Sequence, residues 1–165
     1  MRVWRICRQP HAAASLTGSG GLYVSGRWHH RGRPIVYTSA TPSLAALEVL
    51  VHVDRALAPT DLRLIEIDVP DGIDIETCDP ASLVADWQRF PAPVALQDFG
   101  SEWLASERTA ILNVPSAVLA IERNYIINPA HPDAARIRIV EEQAFSFDPR
   151  LMMAAILAEA GIRGA

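Results

Sequence analysis

Several common signposts are scarce in this chain of 165 residues. Cys7 and Cys78 are its only two cysteines. They are too few for a disulfide framework and lack metal-ligand spacing, so they read as reduced thiols of an intracellular protein. No charge of one sign dominates: 15 Lys and Arg stand against 19 Asp and Glu, a formal net charge of -4. That balance does not point to nucleic acid, although a small basic cluster can still hold a phosphate. No apolar run approaches the length of a membrane span. The opening residues, "MRVWRICRQPH", lack the uninterrupted apolar stretch of a signal peptide. The cytoplasm is therefore the expected compartment. Repeats, low-complexity tracts and linkers are missing too. What is present is 50% apolar and 21% charged, the profile of an ordinary globular domain with a core of its own.

The pattern along the chain predicts a single compact α+β domain over residues 1–165. "RVWRI" (2–6) and "IVYTS" (35–39) read as strands, and "LRLIEIDV" (62–69) alternates and closes at Pro70-Asp71-Gly72. Thr41-Pro42 supplies an N-cap and a first-turn proline for a helix running to about Leu57. Residues 79–108 read as helical in two pieces, interrupted by "FPAPV". Short strands follow within 110–121 and 124–133, broken at Pro115 and Pro129. A strand over 136–147 and a helix from Asp148 to Gly161 complete the chain.

Some fragments mimic motifs without their context. "DFG" at 98–100 has no kinase-sized frame around it, and Asp98 reads as a turn or cap residue. "GSGG" at 18–21 lacks the lysine of a phosphate-binding loop, and loop flexibility is its plainer explanation. His29, His30 and His52 show no metal-site spacing, so no metal is expected.

One residue breaks its pattern. Helical spacing puts Glu48 on the same stripe as Leu44, Leu47 and Val51, the face that should meet the core. A carboxylate there needs a partner or has chemistry to do. Arg27-Trp28 after a glycine, Tyr37 in a strand and Ser116 in "NVPSAV" are the other members of a constellation that suits cleavage at a ribose bearing a cationic leaving group. An arginine grips phosphate through its fork, an aromatic ring stacks on a nicotinamide, and a carboxylate steadies oxocarbenium-like charge. A serine hydroxyl orients an amide or a phosphate oxygen. Singly, each has an ordinary alternative: a surface arginine, a core tyrosine, a turn serine, a glutamate paired with His52.

The runs "SGRWHHRGRPIVYTSATPSLAALEVLVH" (25–52) and "ILNVPSAVLAIERNYIINPAHPD" (111–133) resemble the RES domain family, named for an arginine, a glutamate and a serine. The resemblance implies a mixed β core similar to ADP-ribosyltransferases and a toxin of a toxin–antitoxin pair. It also implies degradation of NAD+ at the nicotinamide–ribose bond, by phosphorolysis or hydrolysis. NAD+ would be the substrate, inorganic phosphate a co-substrate in the phosphorolytic case, and no cofactor is needed. An Xre-like antitoxin would cover the active site and supply any contact with DNA, and a homodimer would fit the apolar surplus. Carried over by residue, the catalytic set is Arg27, Tyr37 and Glu48. Arg27, Trp28, Tyr37, Ser116 and Asn128 would bind substrate, with His131 in support. The family's usual asparagine after "GRW" is His29 here, which the resemblance assigns to turn structure. ADP-ribosylation of a macromolecule and an inactive antitoxin-binding module are the competing expectations.

Overall fold

The computed structural model describes residues 1–54 and 59–152. Seven strands form one mixed sheet in the order β4-β5-β6-β2-β1-β3-β7. They are β1 (Arg2–Arg8), β2 (Val36–Ser39), β3 (Leu62–Asp68), β4 (Ile75–Thr77), β5 (Ile111–Pro115), β6 (Arg123–Ile127) and β7 (Arg138–Phe145). Only β4 and β5 pair in parallel; the other neighbours are antiparallel. Helix α1 spans Pro42–Leu50 and α2 spans Val94–Ser106. No helix among the described residues is long and apolar enough to cross a membrane.

Period-two patterning sorts the strand residues onto two faces. Ile65, Ile67, Ile111 and Ile127 pack in one core with Val3 and Val36. Leu112, Val114 and Ile126 point the other way, against Leu96 and Trp103 of α2. On that same side α1 lays Ala45 over Ile6 and Leu62. The two helices thus cover one face of the sheet side by side, and the site lies between them.

Helix α1 begins as its sequence dictates: the Thr41 hydroxyl accepts the Leu44 N–H at 3.1 Å and Pro42 fills the first turn. It stops at Leu50, short of the expected Leu57, which lies outside the described residues. The His52 and Val53 amides bond to Val49 and Leu50, three residues back, which tightens the last turn and ends the helix. The expected apolar stripe is also divided. Leu44 is buried, Leu47 is partly buried, and Val51 is 51% exposed. Val51 therefore does not anchor the helix.

The first of the two helical pieces expected over 79–108 is absent. Asp79 caps a short 3₁₀ turn at Pro80–Ser82, and turns follow it. Backbone carbonyls of this stretch, those of Trp87 and Arg89, accept from the distant Arg27 side chain instead of from the next turn of a helix. The closing helix expected from Asp148 to Gly161 falls mostly outside the described residues, of which only 149–152 are helical. Two residues of "GSGG", Gly18 and Gly21, are buried, while Ser19 and Gly20 are exposed. Gly18 has φ +68°, and a Cβ there would lie 2.4 Å from the Ile35 nitrogen.

Candidate active site

A fault in the sheet creates the site. Strands β1 and β2 pair only at Trp4 and Ser39. The next antiparallel rung would join Ile6 to Tyr37, but the strands have parted there. The Arg5 guanidinium fills the gap and donates to the Tyr37 carbonyl at 3.0 Å, satisfying an acceptor the missing rung leaves open. A cavity of about 320 Å³ opens at this seam, bordered by α1, β1, β2 and the Gly26–Trp28 turn.

Glu48 is the sole carboxylate among the described residues lining that cavity. Its Oε1 accepts from the Ser116 hydroxyl at 2.7 Å and from the Asn124 amide at 2.5 Å. Each donor is itself set by further bonds. The Ser116 oxygen accepts the Val118 and Leu119 N–H groups at 3.2 and 3.0 Å, so its proton is directed at Glu48. Asn124 faces Ser39 across the β2–β6 pair, and the Ser39 hydroxyl donates to the Asn124 carbonyl oxygen at 2.7 Å. That fixes the amide with its NH2 toward Glu48. Both bonds fall on Oε1, and Oε2 carries no hydrogen bond among the described residues. A half-buried carboxylate is therefore held through one oxygen by two fixed donors.

Tyr37 belongs to a second chain of hydrogen bonds. The Gly26 N–H points at His29 Nδ1 at 3.1 Å, which makes Nδ1 an acceptor. The Tyr37 hydroxyl, 2.9 Å from the same nitrogen, donates to it and accepts the Trp28 N–H at 3.1 Å. Burial raises the Tyr37 pKa well above its usual value, against the opposing pull of the Trp28 amide and Arg27. Tyr37 is thus a neutral phenol with a directed proton, suited to framing a ligand and unsuited to acting as a base. Burial pushes the His29 pKa below 6.5, despite the nearby Val24 and Gly21 carbonyls, so the ring stays neutral. His29 is 2% exposed, and this chain replaces the expected turn asparagine with a buried imidazole that orients Tyr37.

Arg27 borders the cavity and donates to the Trp87 carbonyl at 2.6 Å and the Arg89 carbonyl at 3.2 Å. Burial lowers its pKa while Glu48 and Tyr37 raise it; a guanidinium remains charged throughout. The turn carrying it is clamped by α2. Gln97 donates to the Gly26 carbonyl at 3.0 Å, and the Ser101 hydroxyl accepts the His30 N–H at 2.9 Å. All three residues of "DFG" join this clamp: Asp98 pairs with His30 at 2.6 Å, Phe99 meets the Trp28 ring edge-on, and Gly100 passes the Trp28 carbonyl. A Cβ on Gly100 would come within 1.9 Å of that oxygen, so the helix needs glycine at the crossing. Asp98 is therefore a helix residue bracing a turn, where the sequence pattern suggested a turn or cap.

Arg27, Trp28, Tyr37 and Glu48 meet at the cavity, a grouping that their types allowed and the family resemblance implied. Ser116 and Asn128 do not reach it. Ser116 is fully buried behind Glu48. Asn128, 1% exposed, donates to the Leu104 carbonyl at 2.9 Å and accepts the Ala130 N–H at 3.1 Å, tying the end of β6 to α2. His131 caps the neighbouring turn by accepting the Asp133 N–H at 3.1 Å. Arg5, Ser39 and Asn124 were not identified from sequence. An asparagine inside a strand is a faint signal for Asn124, since strands are poor in asparagine.

The RES domain family model matches residues 2–148. A protein named "Prs ADP-ribosylating toxin" from Sphingobium sp. is 39% identical over 153 residues, covering 90% of this chain and 95% of its own. One named "Toxin Res" from Yersinia enterocolitica is 35% identical over 152 residues, covering 92% and 99%. The crystal structure of the M. tuberculosis MbcT–MbcA toxin–antitoxin complex contains a chain with the same fold. It superposes with a TM-score of 0.69 at 17% identity, over 93% of this chain and 87% of that one. On the extent of the family match and the identity to its full-length relatives, the chain belongs to the RES domain family of toxins.

Proposed function

We propose that this toxin cleaves the nicotinamide–ribose bond of NAD+ and is neutralised by an Xre-like antitoxin that covers the cavity. The observation that carries the reading is Glu48: a carboxylate with Oε1 clamped by Ser116 and Asn124 and Oε2 without a hydrogen bond among the described residues. A fixed negative group costs no reorganisation when cationic charge develops at the ribose. In the reaction the C1′–N bond breaks and its electron pair returns to the nicotinamide ring, neutralising the pyridinium. Positive charge grows on C1′ and the ring oxygen, where Glu48 opposes it. A phosphate oxygen or a water then bonds to C1′, the water losing a proton to solvent. Arg27, with Arg5 on the wall of the same cavity, would hold the pyrophosphate or the attacking phosphate. Tyr37 would frame the nicotinamide. Ser116 acts through Glu48 as a positioning residue and does not touch substrate.

The test is incubation of the antitoxin-free protein with NAD+, with and without phosphate. Nicotinamide should appear together with ADP-ribose or its 1″-phosphate, and a requirement for phosphate would identify a phosphorylase. Absence of all these products would sink the reading. A second reading has its own support, the name of the Sphingobium relative as an ADP-ribosylating toxin. Transfer to a protein would leave label from adenine-labelled NAD+ in the acid-precipitable fraction, whereas simple cleavage leaves it in small molecules.

A further inference from the structure

The stretch Trp87–Phe90 crosses the rim of the cavity and touches it at three points. Arg27 holds the Trp87 and Arg89 carbonyls, Gln88 donates to the Ala117 carbonyl at 3.3 Å, and the Phe90 ring lies 5.9 Å from that of His52. Arg27, Ala117 and His52 each line the cavity and come from different parts of the chain. The segment is thus a strap, and it displays a large aromatic side chain to water: Phe90 is 75% exposed. Its ring plane is inclined 49° to that of His52, so the two make an angled platform with no slot between them.

The cavity is small for a dinucleotide. At about 320 Å³ it stands at the low end of small-molecule sites, which run from roughly 300 to 1,000 Å³. It suits one nucleoside and a phosphate, so the second nucleoside of a dinucleotide must lie over the rim. We propose that Phe90 and His52 form a stacking platform for the adenine of the dinucleotide, outside the cleavage site. This rests on the NAD+ reading above. Phe90 presents a ring face to the purine, and His52 adds a ring edge with a hydrogen-bonding nitrogen. Cleavage chemistry stays with Glu48, and the platform sets preference for the adenine-bearing dinucleotide over nicotinamide mononucleotide.

The experiment measures equilibrium binding of ADP-ribose and of ribose 5-phosphate by calorimetry, which needs no turnover. The proteins are the wild type, Phe90→Leu, Phe90→Trp and His52→Ala. Loss of base–aromatic stacking corresponds to roughly 5- to 150-fold in affinity. Phe90→Leu, which keeps apolar bulk, should therefore weaken ADP-ribose about tenfold or more and leave ribose 5-phosphate unchanged. His52→Ala should act in the same direction, and Phe90→Trp should retain binding. Equal weakening of both ligands, or unchanged ADP-ribose affinity in Phe90→Leu, would overturn the platform; the latter result would leave Phe90 to a protein contact. A wild type that does not bind ADP-ribose overturns it as well. Failure of the NAD+ reading shows separately, as a wild type that binds ADP-ribose yet releases no nicotinamide.

Discussion

Replacing Glu48 with glutamine separates catalysis from structure, because the amide keeps the carboxylate's shape and removes its charge. The amide oxygen can still accept from Ser116 and Asn124, which meet Oε1 at 2.7 and 2.5 Å. Hydrogen bonds to a charged acceptor contribute about 1.5–3 kcal/mol and those to a neutral one about 0.5–1.5. The pair then loses roughly 2–3 kcal/mol. Relief of the desolvation cost of a half-buried carboxylate offsets most of this, leaving a net change of about 1 kcal/mol. For a domain of this size that moves the melting temperature by about 2–4 °C. The chemical effect is larger. On the proposed mechanism, losing the one carboxylate among the described lining residues removes the stabilisation of the ribosyl cation, and such preorganised groups are worth about 10²–10³ in kcat. Nicotinamide release and a thermal melt of the same preparation are the two readouts. Glu48→Gln retaining more than about a tenth of wild-type activity would refute the assignment. So would a collapse of the melting temperature by more than about 10 °C, which would make Glu48 chiefly structural.

Three further substitutions probe the supports. Ser116→Ala should lower kcat about tenfold with KM little changed, because Oε1 keeps only Asn124; steady-state kinetics on NAD+ check this. It should also cost about 1–3 kcal/mol of stability, since the Val118 and Leu119 amides lose their acceptor. Gly100→Ala forces a methyl against the Trp28 carbonyl 1.9 Å away, so overpacking of about 1–3 kcal/mol should lower the melting temperature. A wild-type melt in that variant would contradict the crossing. Burial holds the folded-state pKa of His29 below the usual 6.5 of an imidazole. Below about 6.5 the unfolded chain therefore binds more protons. The stabilisation is fully present above that pH and is lost as pH falls through the folded-state pKa. Urea unfolding from pH 8 to 5 should show an acid-side slope in the wild type that is smaller in His29→Asn, and identical slopes would refute it.

How far the site can be read without coordinates depends on how local each cause is. Thr41-Pro42 announces α1 because an N-cap and a first-turn proline act within one turn, and the structure starts the helix there. The alternation of residues 62–68 likewise specifies β3. Arg27, Tyr37 and Glu48 line one cavity, a grouping that their types allowed but that only the family resemblance implied. Asn124 escaped notice because its role comes from cross-strand register with Ser39. Arg5 escaped because its partner is a carbonyl left open where two strands part. The helix expected after Asp79 failed for a similar reason: Arg27, 60 residues away, binds the Trp87 carbonyl that a helix would have used internally.

By itself the sequence determined the local elements and the face on which Glu48 stands, since periodicity and capping act over a few residues. The tertiary structure alone decided which oxygen of Glu48 has no hydrogen bond among the described residues. The donors that occupy the other, Ser116 and Asn124, lie 68 and 76 residues further along the chain. Only the closure of the sheet brings them within hydrogen-bond distance.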